Sequence, residues 1–138
     1  MSKTRIVVVE DNPGDVFLIR KALQEKGIEF ELTCFDDGQE ALKGLPESGQ
    51  AVPDLILLDL NLPKVDGVDV LRAIRQMPRF ADVPVAILTS SESPLDRHRT
   101  ESLGASRYIK KSSTLEDFLS SVGGAVEEML ELRSRKDG

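Results

Sequence analysis

The chain has 138 residues, of which 40 % are apolar and 30 % charged, and its formal net charge is −6. That length suits one domain, and the apolar content suits a packed globular chain instead of a disordered one. The acidic balance argues against nucleic acid or an anionic membrane as partner, because either would need a basic face.

No apolar run approaches the length that spans a bilayer. The start, "MSKTRIVVVE", reaches a glutamate too soon for a secretion signal. The single cysteine, Cys34 in "FELTCF", cannot form an internal disulfide and reads as a small buried hydrophobe. The expected compartment is the cytoplasm, with no membrane association.

The first apolar run, residues 6–9, is continuous and aliphatic, as suits a strand buried on both faces. Asn12 then offers a helix cap with Pro13 at the first helical position. That helix carries Val16, Ile19 and Leu23 on one side, with Phe17 and Leu18 widening the stripe, and Gly27 stops it. The second run, 30–35, alternates as an edge strand would. A short helix over 39–45 turns Ala41 and Leu42 inward. The loop "PESGQAVP" is the most mobile internal segment by composition.

A third strand, 55–58, is again continuous. A helix over 68–76 spaces Val68, Leu71 and Ile74 on one face, and Asp66 reads as its cap. "MPRFADVP" is an exposed connection to the fourth strand, 85–88. The fourth helix, 94–103, reads "PLDRHRTESL" and has little beyond two leucines to bury. His98, the only histidine, reads as a surface residue there. A weak fifth strand, 108–109, precedes a helix capped by Thr114. Leu115, Phe118, Leu119, Val122, Val126 and Met129 recur along that helix at helical spacing. Gly123 and Gly124 weaken it by roughly 1 kcal/mol each relative to alanine. The terminal "RSRK" reads as a solvated helix end.

Strands alternating with helices predict an α/β (βα)5 domain, a doubly wound parallel sheet with right-handed crossovers. In such sheets ligands bind beyond the carboxyl ends of the strands, where strand order reverses. Glu10 and Asp11 close the first strand. Asp59 closes the third, in "DLILLDLNLPKVDG". If those strands are neighbours, three carboxylates converge, and their repulsion of several kcal/mol at an effective dielectric near 20 calls for a cation. A hard divalent ion with oxygen ligands answers that need, and Mg²⁺ is the expected one. Thr89 ends the fourth strand in "AILTSSE", and Lys111 ends the fifth in "RYIKKSS", so a hydroxyl and an ammonium reach the same cleft.

On "VVVEDNP", "DLILLDLNLPKVDG", "AILTSSE" and "GASRYIKKSS", the chain resembles a response-regulator receiver domain over essentially its whole length. The resemblance implies a flavodoxin-like sheet in the order 2-1-3-4-5 and a single receiver domain over 1–138 with no output domain. Asp59 would be the phosphoacceptor, taking a phosphoryl group from the phosphohistidine of a histidine kinase. Asp11 and Asp59 would ligate Mg²⁺ directly, Glu10 through water, and Asn61 through its backbone carbonyl. Lys111 would pair with the phosphoryl oxygens, Thr89 would hydrogen-bond them, and the ring of Tyr108 would follow Thr89. Beyond its own phosphoryl transfer and slow dephosphorylation, no enzyme activity is expected. Output would pass through the face of helix four, strand five and helix five, by partner contact, homodimerisation or use as a phosphate sink.

"DLNLPK-DG" with "YI-KS" also resembles the small regulators that accompany bacterial phytochromes, which implies a red-light-sensing kinase as donor. One departure is Ser112, where receivers usually carry proline after the lysine. Lys110 should point to the opposite side of its strand from Lys111. Rival classes fare worse. A Mg²⁺ phosphatase of the aspartyl-phosphate type would want a second aspartate where Asn61 stands. A flavodoxin-like cofactor site would meet its anion with the carboxylates of "EDNPGD". A phosphorylation-independent adaptor would have no use for the acid set.

Overall fold

The computed structural model describes residues 3–45 and 51–137, with side chains as far as Arg133. Five strands alternate with five helices: β1 Thr4–Val9, α1 Pro13–Glu25, β2 Phe30–Phe35, α2 Gly38–Gly44, β3 Leu55–Leu58, α3 Gly67–Gln76, β4 Val85–Thr89, α4 Pro94–Ser102, β5 Arg107–Lys110 and α5 Leu115–Asp137. A 3-10 turn, Pro78–Phe80, lies in the connection before β4, which is exposed only in part, since Phe80 and Val83 turn into the core. The strands form one sheet in the order β2-β1-β3-β4-β5, every pair parallel.

The continuous aliphatic runs follow from two-sided burial. Ile6 and Val8 of β1, Leu55 and Leu57 of β3, and Ala86 and Leu88 of β4 pack with Ile19, Leu23, Phe118, Val122 and Val126 from α1 and α5. The intervening residues Val7 and Val9, Ile56 and Leu58, and Val85 and Ile87 pack with Ala41, Leu71, Ile74 and Phe80 on the other face. Successive side chains point to opposite faces of a strand, so a strand covered on both sides has no place for a polar residue. β1 and β3 lie in register with Val9 beside Leu58, so the residues that follow each strand emerge side by side.

The helices form where their caps and stripes place them. Asn12 Oδ1 accepts from Gly14 N at 2.9 Å and from Asp15 N at 3.4 Å, and opens α1. Asp66 Oδ1 accepts from Val68 N at 2.9 Å and opens α3. Thr114 Oγ1 accepts from Asp117 N at 3.3 Å at the start of α5. Gly123 has a packing reason that its helix propensity hides. A Cβ there would stand 3.1 Å from Lys26 Cγ and 3.2 Å from Ala22 O, so glycine lets α5 lie close against α1.

Four burial expectations fail, among them Leu95 of α4, which is 62 % exposed. Phe17 is 64 % exposed. It stands two residues before the fully buried Ile19, about 200° round the helix, and so faces away from the sheet. Leu115 is 56 % exposed because it opens α5, where neighbours exist on one side only. Cys34 is exposed, not buried. It lies on β2, the outermost strand, which has a neighbour on one edge alone. In "PESGQAVP" residues 46–50 lie outside the described residues, as do the side chains of "RSRK" after Arg133. The Arg133 guanidinium lies 3.8 Å from Asp54. No described helix is long and apolar enough to cross a membrane.

Candidate functional site

The carboxyl ends of β1, β3, β4 and β5 share one cleft. Glu10, directly after β1, is 3 % exposed, and Asp59, directly after β3, is 5 % exposed. Their backbones are tied in place, Glu10 N–H to Phe35 O at 3.0 Å and Asp59 N–H to Val9 O at 3.0 Å. The ladder of the sheet therefore continues one residue past the apolar strands, and that is what brings two carboxylates into a buried position. Gly67 braces the arrangement from behind. Its N–H donates to Leu60 O at 3.0 Å. A Cβ there would fall 2.3 Å from Asp59 O and 2.5 Å from Leu60 Cα, so the start of α3 can sit against the backbone of Asp59 only with glycine.

Glu10, Asp11 and Asp59 each bring a carboxylate oxygen within 4.8 Å of the others. Two full charges at that separation repel by about 3 kcal/mol at an effective dielectric near 20. Lys111 answers part of it. Its Nζ lies 2.6 Å from Glu10 Oε1, 2.8 Å from Asp15 Oδ2 and 3.0 Å from Asp59 Oδ2. One ammonium thus pairs with three carboxylates while Asp11 stands beside two of them, and an all-oxygen donor set with surplus negative charge fits a hard divalent cation.

The protonation balance reflects that crowding. Burial, helped by the charge of Asp59, pushes Glu10 up to about 7 against the pull of Lys111. Burial alone would lower the pKa of Lys111, but its hydrogen bonds to Asp15, Glu10 and Asp59 outweigh burial and hold it above the ordinary lysine value. The ammonium is a fixed charge.

Thr89, fully buried at the end of β4, joins the acids through Asn61. Asn61 N–H donates to Asp59 Oδ1 at 3.1 Å, and its side-chain amide reaches Thr89 Oγ1 at 3.5 Å. From Thr89 a polar chain runs outward to α4. Ser91 N–H donates to Thr89 Oγ1 at 3.3 Å, and Ser91 Oγ–H to Asp96 Oδ2 at 2.7 Å. Tyr108 joins the same loop, its hydroxyl donating to Ser91 O at 3.0 Å while the Arg97 guanidinium covers its ring at 4.6 Å. α4 is held lightly, with Thr100 as its one buried residue.

All seven residues singled out in the sequence therefore stand in or beside the cleft. Lys110 does not; it is exposed and pairs with Glu92. No peptide bond among the described residues is cis, so Lys111–Ser112 is trans. His98 is exposed. Two participants escaped the sequence reading, Asp15 and Ser91. The signal for Asp15 was present in "EDNPGD", a third acid in the first turn of the helix that opens behind β1.

Fold and site together define a domain built to present a group of carboxylates and one cation at the mouth of a parallel sheet. Residues 6–123 match the response regulator receiver domain family. The chain is 38 % identical over 130 residues to response regulator Rcp1 of Synechocystis sp., covering 91 % of this chain and 88 % of that one. The crystal structure of the phosphorylated cyanobacterial phytochrome response regulator RcpA superposes with a TM-score of 0.87 at 37 % identity, over 94 % of this chain and 95 % of the other. The Mn²⁺-bound form of Rcp1 gives 0.85 at 37 % identity, over 93 % and 95 %. The chain belongs to the response regulator receiver family: it is a phosphorylation-dependent switch of two-component signalling. Receivers take their signal from a kinase and bind Mg²⁺ or Mn²⁺ at an acidic pocket, and Glu10, Asp11 and Asp59 form an acidic cluster that could hold such an ion.

Proposed function

We propose that Asp59 is the phosphoacceptor and that a histidine kinase supplies the phosphoryl group. A carboxylate oxygen of Asp59 attacks phosphorus, and an O–P bond forms as the P–N bond to the donor imidazole breaks. The observation that carries this reading is the position of Lys111 Nζ, 3.0 Å from Asp59 Oδ2 at the edge of the three-carboxylate cluster. Phosphoryl transfer asks for an in-line nucleophile and cations around the spreading charge, and little more. Asp59 supplies the first and Lys111 one of the second. Mg²⁺, when bound, would supply the remaining charge stabilisation, and Asp11, Asp59, Glu10 and the backbone carbonyl of Asn61 are the groups that would hold it.

Once Asp59 carries the group, its oxygens are new acceptors for Lys111 and for the hydroxyl of Thr89. A shift of Thr89 pulls on Ser91, and Ser91 is bonded to both Tyr108 and the first turn of α4. The output surface is then the face of α4, β5 and α5, through which a partner or a second copy docks. The likeness to a phytochrome response regulator supports a bacterial phytochrome as the donor kinase, in the cytoplasm.

The test is an intact mass after incubation with a small phosphodonor and Mg²⁺. Wild type gains one acid-stable, base-labile phosphoryl adduct and Asp59→Asn gains none. An adduct retained by Asp59→Asn removes the assignment. Faster transfer from a purified phytochrome kinase than from unrelated histidine kinases supports the donor, and equal rates discard it.

A further inference from the structure

The three partners of Lys111 have different fates when the site is used. An ammonium has three N–H donors. Glu10 at 2.6 Å and Asp15 at 2.8 Å hold it as ion pairs, and Asp59 at 3.0 Å accepts a hydrogen bond from it. Asp59 changes chemically when it is phosphorylated, and Glu10 belongs to the group of acids that faces a divalent ion. Asp15 stands outside that group. It sits in the first turn of α1, where its own N–H and that of Gly14 are fixed by Asn12 Oδ1. Its side chain is four-fifths covered, at 20 % exposure. It is neither the proposed phosphoacceptor nor one of the three clustered acids.

We infer that Asp15 is a positioning residue, the anchor that keeps the Lys111 ammonium at the cleft while its other two partners change hands. A lysine head rides on a flexible four-carbon stem and holds no direction of its own. With Asp15 in place, one N–H stays bound to α1 and the remaining two are free to follow charge from Asp59 to a phosphoryl oxygen. The ammonium then turns about a fixed point and does not have to be recaptured from solvent. This inference rests on Asp59 and Lys111 holding the roles proposed above.

The experiment compares labelling rates with a small phosphodonor at saturating Mg²⁺, read by intact mass, for wild type, Asp15→Asn, Lys111→Ala and the double variant. Mg²⁺ affinity is measured alongside by calorimetry. Asp15→Asn is nearly isosteric and leaves the Asn12 cap intact, since that cap uses the backbone N–H. The expected result is a loss of about tenfold in labelling rate, of the kind a misplaced charge produces, with Mg²⁺ affinity unchanged. In the Lys111→Ala background Asp15→Asn should have no further effect, because a residue acting through another is silent once that other is gone. The ammonium ¹H–¹⁵N signal of Lys111, protected in the metal-free wild type, should broaden in Asp15→Asn. Labelling of Asp15→Asn at the wild-type rate overturns the inference. So does equal slowing in both backgrounds, or a parallel loss of Mg²⁺ affinity, which would make Asp15 a metal ligand. Failure of wild type to label at all would instead sink the phosphoacceptor reading on which the inference stands.

Discussion

Two sheltered cations sit at opposite ends of the sheet, and they are satisfied in opposite ways. At the amino-terminal end Arg75 of α3 reaches only backbone carbonyls. Its guanidinium donates to Val83 O at 2.8 Å, Phe80 O at 3.0 Å and Gly104 O at 2.8 Å, and so ties the 3-10 turn to the turn before β5. Burial lowers its pKa against the pull of the Asp82 charge, and among the described residues no carboxylate accepts a hydrogen bond from it. At the carboxyl end Lys111 reaches only carboxylates, more than it can neutralise. Neutral dipoles in fixed positions make a clamp with one arrangement. Surplus charge around one ammonium makes a site whose best arrangement depends on what else is bound.

The two ends should therefore break differently. The largest effect is on chemistry: Asp59→Asn should abolish the phosphoryl adduct, and Lys111→Met should slow its formation about a hundredfold, the scale on which a preorganised charge counts. Lys111→Met should also destabilise the metal-free protein by about 3 kcal/mol, since it strands buried carboxylates without their cation. Saturating Mg²⁺ should restore much of that loss. Arg75→Met should cost about 2 kcal/mol by releasing its carbonyl partners. Mg²⁺ should not repair it, and labelling should proceed at the wild-type rate. Chemical denaturation with and without Mg²⁺ measures all of these. An Mg²⁺ rescue of Arg75→Met as large as that of Lys111→Met would erase the distinction between the two ends.

The same contrast governs what could be read from sequence. The sheet and its helices were legible because unbroken aliphatic runs have one comfortable home, a strand covered on both faces. Glu10, Asp11, Asp59 and Thr89 were legible because each stands at the end of such a strand, and Lys111 because it follows the weaker β5 at the same edge; the topology gathers strand ends. Cys34 misled because it shares the face of Phe30 and Leu32, yet on the outermost strand the cover does not extend as far as Cys34. Phe17 misled because it adjoins an apolar stripe in sequence while facing away from it in the helix. Asp15 and Ser91 draw their meaning from approaches between distant elements, α1 against the residue after β5, and the loop after β4 against Tyr108. The acids of "EDNPGD" hint that Asp15 lies near the cleft, but nothing beside either residue in the sequence names the partner it meets. Arg75 is hidden for the same reason, since a helical arginine gives no sign that four carbonyls will converge on it.

pH should separate the ends further. Glu10 is raised from an ordinary glutamate value of 4.5 to about 7 in the folded protein. A raised carboxyl means that the folded state holds the proton more tightly than the unfolded one. The stability it contributes is full below about 4.5 and is lost as pH rises through about 7. The metal-free wild type should therefore lose thermal stability between pH 5 and 8 (values spanning about that window) relative to Glu10→Gln, in which the group cannot ionise. Arg75→Met, with no carboxylate bonded to the residue it replaces, should keep the wild-type slope. A Glu10→Gln profile parallel to wild type would mean that Glu10 is ionised throughout, and that the crowding at the carboxyl end is relieved by other means.

The smallest effect lies where the charged end meets α4. Tyr108→Phe removes one hydroxyl and with it the 3.0 Å bond to Ser91 O, while the ring stays under Arg97. A single neutral hydrogen bond of this kind is worth about 1 kcal/mol. Ser91 keeps its bonds to Thr89 and Asp96 in the variant, so the loop does not come free. The loss should therefore appear locally. Amide exchange should quicken over the loop after β4 and the first turn of α4, where Thr100 is the one buried anchor, and stay unchanged around Arg75. Phosphorylation of Asp59 should still occur at close to the wild-type rate, because Tyr108 touches neither the acids nor Lys111. Exchange that quickens evenly over the whole molecule would mean that Tyr108 is a core residue like any other, and that the chain from Thr89 to α4 does not act as a unit.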